Sequence, residues 1–275
     1  MAGRKRLPQA NAVSIIVPET KPAKLFIDMR DCFAIYFEAG THTLAAKVCA
    51  AACHLNPMIK RILLITLLSC FAAISALCAD WRPLFNGKDL TGWQHVGPGG
   101  DTVENGLIHT HGGMGLLYWK GGKIGHCTLR VVYKMRDKND NSGVYIRIPI
   151  EPREAWMPVH YGYEVQIDNH PETSHEDEYH VTGTLYSLTK PLAKPGKPGP
   201  EWNTMEITID GPHTLVSVNG VKVTDYTEGQ PVPARKFDFE PLRGPRPDTG
   251  YFGLQNHSNN DIVFFKEVSI KPLGR

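Results

Sequence analysis

Glu164, Gln166 and Asp168 stand two positions apart in a run that otherwise places Tyr161, Tyr163, Val165 and Ile167 between them. Period-two alternation marks a strand whose side chains leave on opposite faces. The apolar set then points into a core. The polar row points the other way, where solvent or a ligand must satisfy it. A carboxylate in such a row can take a proton, hold a cation or accept hydrogen bonds. The same pattern also fits the solvated face of an ordinary strand. A second alternating run covers Gly143 to Ile148, with Val144, Ile146 and Ile148 on one face and Tyr145 and Arg147 on the other. Arg147 is predicted to share the sheet face of Glu164 and Asp168, where its planar fork would grip a carboxylate or a hydroxyl. A structural pairing with a neighbouring acid is the alternative.

Histidines supply the other candidates. His109 and His111 alternate on one predicted strand and would share a face as ligands for a divalent metal; Glu164 and His257 are further candidate ligands. His170, His175 and His180 crowd a segment with Glu176, Asp177 and Glu178, but their spacings match no compact zinc pattern, so a solvated loop is expected there.

Short strands carry these groups. Asn105-Gly106 lies inside a predicted hairpin from Val103 to Thr110, and Asn219-Gly220 inside another from Thr214 to Thr224. Asn-Gly suits a two-residue hairpin turn. In the second hairpin Val218 should face Val221 and Val216 should face Val223, with four valines on one side. Cys127 to Arg136, Met205 to Asp210, Gly250 to Gln255 and Ile262 to Ile270 give further strands. Lys190 to Pro200 and residues 228 to 249 are proline-rich loops. No segment after Asp80 keeps a helical period. Short strands with frequent turns and no helices predict an all-β sandwich of two antiparallel sheets, one domain of about 195 residues.

The chain has 275 residues, and its first 79 read differently. Lys60 and Arg61 precede an apolar stretch from Ile62 to Leu77, followed by small residues at Ala76, Cys78 and Ala79. Basic, apolar, then small is the layout of an export signal, here over residues 58–79. The 16 apolar-run residues are short of the about 20 that span a bilayer. Leu67-Leu68-Ser69-Cys70 resembles a lipoprotein box but lies early in the run. Residues 1–57 would then be an extension upstream of the true start, broken by Pro8, Pro18 and Pro22. Of the six cysteines only Cys127 lies beyond Asp80, so no internal disulfide is expected there. From Asp80 onward 21 Lys and Arg face 24 Asp and Glu, a net charge of −3, so nucleic acid is not an implied partner. The expected location is periplasmic or secreted, without stable membrane insertion once the signal is removed.

Six motifs in order carry a resemblance. They are Phe85-Asn86-Gly87-Lys88-Asp89-Leu90-Thr91-Gly92-Trp93, Asn141-Ser142-Gly143-Val144-Tyr145-Ile146-Arg147, Gly162-Tyr163-Glu164-Val165-Gln166-Ile167-Asp168, Thr182-Gly183-Thr184-Leu185-Tyr186, Glu201-Trp202-Asn203 and Gly253-Leu254-Gln255-Asn256-His257. From about Trp81 to Leu273 the chain resembles the 3-keto-disaccharide hydrolase family. The run Phe264-Phe265-Lys266-Glu267-Val268 departs from the family's usual Phe-Arg-Asn-Ile form. The resemblance implies a concanavalin A-like jelly roll, export, a carbohydrate ligand, and action on glycosides whose sugar is a ketone at carbon 3.

That ketone acidifies the hydrogen at carbon 2, so a base can remove it, the group at carbon 1 can leave, and water can add. Such chemistry needs a base and a group to stabilise an enolate, such as Arg, His or a metal. Glu164 and Asp168 lie four strand positions apart, roughly 13 Å. A retaining pair needs about 5 to 5.5 Å and an inverting pair about 6.5 to 9.5 Å. The expected catalytic set is therefore Glu164, Arg147 and His257. Gln166, Asp168 and Gln255 would hold the sugar, with Tyr145, Tyr186 and Trp156 stacking or packing beside it. No cofactor is required by the sequence, and a divalent metal is compatible with it. A non-catalytic lectin-like module and a conventional endo-glucanase of the same fold are the rivals. The endo-glucanase is disfavoured because Gln166 stands where a middle acid would be.

Overall fold

The computed structural model describes residues 81–169 and 178–274 in full and, before them, the backbone of three strands. Those strands, β1 (Lys24–Asp28), β2 (Phe33–Ala39) and β3 (His42–Val48), pair antiparallel in that order. They belong to a unit of their own, Met1–Cys78, and fall within the stretch read from sequence as an extension. The leader read over 58–79 lies outside the described residues, as do His170 and His175. Among the described residues no helix is long and apolar enough to cross a membrane.

The second unit, Ala79–Arg275, holds two antiparallel sheets. Its strands are β4 (Arg82–Pro83), β5 (Trp93–Val96), β6 (Gly100–Glu104), β7 (Leu107–His111), β8 (Gly115–Trp119), β9 (Cys127–Met135) and β10 (Ser142–Ile148). A short helix α1 (Trp156–Tyr161) leads into β11 (Tyr163–Ile167). There follow β12 (Asn203–Asp210), β13 (His213–Val218), β14 (Val221–Thr227), β15 (Tyr251–Asn256) and β16 (Val263–Pro272). The larger sheet runs β14-β13-β12-β9-β16-β7-β6, with β4 also on β16, and the smaller runs β11-β10-β15-β8-β5. This is the predicted all-β sandwich.

Alternation explains the layering. Val144, Ile146, Tyr163, Val165, Ile167 and Leu254 of the smaller sheet meet Leu129, Val131, Met205, Ile207 and Val268 of the larger in one core. Each such side chain, fully buried, contributes about 1.5 to 3 kcal/mol. The smaller sheet also has a covered outer face, where Leu116, Tyr118, Tyr145 and Ile148 pack with Met157 and Val159 of α1. All seven residues of β10 are therefore buried. No helix was predicted here, because six residues are too few to show a period. Pro158 is no obstacle, since proline is tolerated in a first turn. Tyr161, predicted to enter the core at the start of a strand, instead ends α1 and is 49% exposed.

Both Asn-Gly turns occur as predicted. Asn105 and Gly106 have φ of 52° and 77°, Asn219 and Gly220 of 52° and 79°, the positive pair that a type I′ turn requires. Val218 pairs with Val221, but a bulge then shifts Val216 opposite Thr224 rather than Val223. One extra residue re-aims the side chains beyond it. Val216, Val218 and Val223 are buried, whereas Val221 is exposed, so three valines share the core instead of four. Cys127 is buried as a free thiol.

Candidate functional site

Glu164 lies on the helix-covered face of the smaller sheet, directly opposite Tyr145 across the β10–β11 ladder. Cross-strand neighbours are close enough for side chains to meet. Tyr145 Oη donates to Glu164 Oε2 at 2.7 Å, and Gln255 Nε2 on β15 donates to Tyr145 Oη at 2.9 Å. The Glu164 side chain leans along the sheet over Gly143. A Cβ at that position would stand 2.5 Å from Glu164 Oε1 and 2.6 Å from its Cγ. The glycine is what gives the carboxylate room.

These groups line a cavity of about 390 Å³, together with Met114, Asn141, Trp156, Val159, Gln166, Tyr186, Phe239 and His257. That volume lies in the range of small-molecule sites, about 300 to 1,000 Å³. Gln166 Nε2 donates to Asn141 Oδ1 at 3.3 Å. The carboxamide oxygens of Gln166 and Gln255 are buried with no partner among the described residues. Both residues line the cavity, and a buried acceptor without a donor is costly to maintain.

Burial pushes the Glu164 carboxyl up to about 7, against the Tyr145 hydrogen bond, the charge of His257 and the Gln255 hydrogen bond, which favour ionisation. Tyr145 is driven well above its ordinary value, by burial first and by the Glu164 charge next, so it remains a donor. His257 enters from the loop after β15. Its Nδ1 is 2.7 Å from Asp261 Oδ2, which also accepts from Ser258 Oγ at 2.5 Å, while Asp261 Oδ1 accepts from the Asn141 amide at 3.0 Å. Burial opposes ionisation of Asp261, but the His257 and Ser258 hydrogen bonds and the imidazole charge outweigh it and hold its carboxyl below the ordinary value. An ionised Asp261 holds the proton on Nδ1 and orients the ring.

An irregular segment completes the site. Gln166 N donates to Thr184 O, Gly183 N to Gln166 O, Thr182 N to Asp168 O and Tyr186 N to Glu164 O, all between 2.8 and 3.0 Å. This ladder along the free edge of β11 brings Tyr186 beside Glu164. Tyr186 also meets His180 edge to face at 4.8 Å.

The structure thus gathers Glu164, Gln166, Gln255, Tyr145, Tyr186, Trp156 and His257 around one cavity. Asp168 is buried at the end of the row but does not line the cavity; it accepts from Asn141 Nδ2 at the long distance of 3.5 Å. Arg147 is not on this face, contrary to the alternation. Its φ is 56°, and the β10–β15 register shifts between Tyr145 and Ile148. The bulge turns Ile148 outward beside Tyr145 and sends Arg147 inward. There its Nε donates to Thr214 Oγ1 at 3.1 Å, Nη1 to Pro247 O at 2.9 Å, and Nη2 to Gly211 O at 2.8 Å and His213 O at 2.9 Å. Gly250 permits the bulge, since a Cβ there would lie 2.4 Å from the Arg147 backbone. Arg147 ties the two sheets together.

His109 and His111 share a face as predicted, 6.2 Å apart, but on the larger sheet, where His109 stacks on Phe264 at 4.8 Å. They do not meet Glu164 or His257. Among the described residues no three His, Cys, Asp or Glu are placed to hold a metal ion. Sequence reasoning passed over Met114, Asn141, Val159, Phe239 and Asp261. Asn141 was visible as part of a motif. Asp261, four residues beyond His257, carried only the weak signal of its spacing.

Residues 80–271 match the family described as the 3-keto-alpha-glucoside-1,2-lyase-like domain. Among solved structures, a candidate glycosyl hydrolase from Parabacteroides distasonis superposes with a TM-score of 0.57 at 25% identity, covering 70% of this chain and 94% of that one. Another from the same organism gives 0.57 at 26% identity, covering 70% and 100%. A protein of unknown function with a galectin-like fold from Bacillus subtilis gives 0.51 at 11% identity over 71% and 96%, a likeness of fold alone. No curated protein matches the chain. The first two likenesses support a carbohydrate-related function.

Proposed function

The chain belongs to the family of 3-keto-alpha-glucoside-1,2-lyase-like domains, and on that premise we propose that it is an enzyme cleaving glycosides whose sugar is a ketone at carbon 3. The observation that carries the reading is the Glu164 carboxyl, buried in the cavity and raised to about 7. A base poised near the working pH combines a usable ionised fraction with enough basicity to take a carbon-bound proton.

In this reading Glu164 removes the proton at carbon 2, made acidic by the neighbouring ketone. The electron pair delocalises onto the ketone oxygen as an enolate. Once Glu164 carries that proton it no longer needs the Tyr145 hydrogen bond, and the phenol hydroxyl is released to donate to the enolate. Collapse of the enolate restores the ketone, forms the double bond between carbons 1 and 2, and expels the group at carbon 1. That leaving oxygen takes a proton from His257 Nε2, whose imidazolium form Asp261 stabilises. Water then adds at carbon 1, giving its proton to the now neutral His257, while Glu164 returns its proton to carbon 2. Atoms and charges balance, and hydrolysis is the net result. Release before water addition makes the same site a lyase. Gln166 and Gln255, which line the cavity, hold sugar hydroxyls in this reading.

The test is incubation of the purified protein with a 3-keto-disaccharide and with its unoxidised parent. Sugar released from the ketone alone supports the proposal. Release from both points to an ordinary glycosidase. Binding without release makes the chain a carbohydrate-binding module, and neither binding nor release removes the reading altogether. Export to the periplasm or medium through a leader at 58–79 is part of the same proposal, tested by N-terminal sequencing of exported protein.

A further inference from the structure

We propose that the outer part of this cavity is a subsite for a flat aromatic leaving group, so that aryl 3-keto-glycosides are preferred over 3-keto-disaccharides; the inference rests on the reading of Glu164 as the base. The cavity has two chemically distinct parts. Glu164, Gln166 and Gln255 of its lining are buried. Trp156 and Phe239 also line it, yet stay 46% and 40% exposed. Large apolar side chains left this open beside a cavity mark a place where apolar ligand surface can be buried.

Each ring has a stacking partner. Trp156 stacks on His160 with centroids 6.1 Å apart and planes at 24°, and Phe239 stacks on Phe237 at 5.0 Å and 8°. The two carrying segments are cross-linked. His160 Nε2 is 3.2 Å from Asp238 O, and His160 O accepts from Leu242 N at 3.1 Å. The rim is therefore a held surface, and holding it in place lowers the ordering cost of binding.

The chemistry separates the two occupants. A second sugar has hydroxyls around its edge that lose water on entering, and Trp156, Phe239, Met114 and Val159 offer few partners for them. A phenyl ring has no such requirement and gains offset or edge contacts with the aromatic pair. It also suits the elimination. When the bond from carbon 1 to the aryl oxygen breaks, the pair goes to a phenolate whose conjugate acid has a pKa of about 10. That oxygen leaves with less help from His257 than an alcohol oxygen needs.

The experiment compares kcat/KM of the full chain on a phenyl 3-keto-glucoside and on a 3-keto-disaccharide of the same anomer, for wild type, Trp156→Ala, Trp156→Leu and Phe239→Ala. Intrinsic leaving-group reactivity is common to all four proteins, so the informative quantity is how the aryl-to-disaccharide ratio changes. Each alanine variant should lower that ratio about 3- to 10-fold, mainly through KM. Trp156→Leu, which keeps apolar bulk but removes the flat face, should lower it too. An unchanged ratio in all three variants, with wild type turning over both ketones, overturns the aromatic subsite and leaves the base assignment standing. No turnover of either ketone by wild type overturns both.

Discussion

Replacing Glu164 with glutamine should abolish turnover and, above neutrality, make the protein more stable. The carboxyl sits at about 7 in the folded chain against an ordinary 4.5, with burial as the leading cause. Between those two values the native state holds a proton that the unfolded state has released. Stability is therefore highest below the lower value, falls as pH rises through the window, and levels off above about 7. The full displacement is worth about 3 kcal/mol at pH 8, and under about 1 kcal/mol at pH 5. Glutamine carries no charge at either pH, and its amide oxygen can still accept from Tyr145. For a domain of this size the gain at pH 8 corresponds to about 5 to 10 °C in Tm. Thermal unfolding of both proteins at pH 5 and pH 8 measures it directly. A Tm difference that is the same at both pH values, or a variant less stable at pH 8, would refute the argument that burial of an ionised Glu164 is being maintained at a cost. Activity surviving at near wild-type rate would separately remove Glu164 from the mechanism.

Gly143→Ala places a methyl group 2.5 Å from Glu164 Oε1, so kcat should fall about 10-fold or more as the base is displaced, with far-ultraviolet circular dichroism unchanged. Arg147→Lys cannot reproduce four directed hydrogen bonds from a fully buried guanidinium. It should cost about 3 to 5 kcal/mol in urea unfolding, while KM of the folded protein stays within about threefold because the residue is outside the cavity. Asp261→Asn removes the anion that orients His257. It should lower kcat about 10-fold or more and move the His257 limb of the pH–rate profile to lower pH, since an imidazolium loses its counter-charge; an unaltered profile would take His257 out of proton transfer.

How much could be read in advance depended on whether a residue's neighbours in sequence decide its direction. Strict alternation placed Val165 and Ile167 inward and Glu164 and Gln166 outward, because β11 is an uninterrupted strand. The Asn-Gly turns were legible because few dipeptides accept positive φ twice. Arg147 failed the same logic, since nothing near it in sequence announces a bulge. The cause lies about a hundred residues away, in the glycine at 250 that lets the backbone approach. The partner groups of the site were hidden for a similar reason. Glu164, Tyr145 and Gln255 come from three separate strands, and only pairing order brings them together. Helix α1 and Phe239 of the cavity rim belong to segments too short or too proline-rich to show a period.

The irregular segment from Thr182 to Tyr186 has a role beyond carrying one aromatic ring. β11 is the last strand of its sheet, and an unpaired outer strand is an open template on which another chain can add itself. Here the carbonyl of Glu164 and both backbone groups of Gln166 and Asp168, which would serve in that template, are already taken by residues 182 to 186. The segment is too irregular to offer a continuous new edge of its own. The strand bearing the base is thereby withdrawn from intermolecular sheet growth, so the residues that frame the cavity also act as a guard against aggregation.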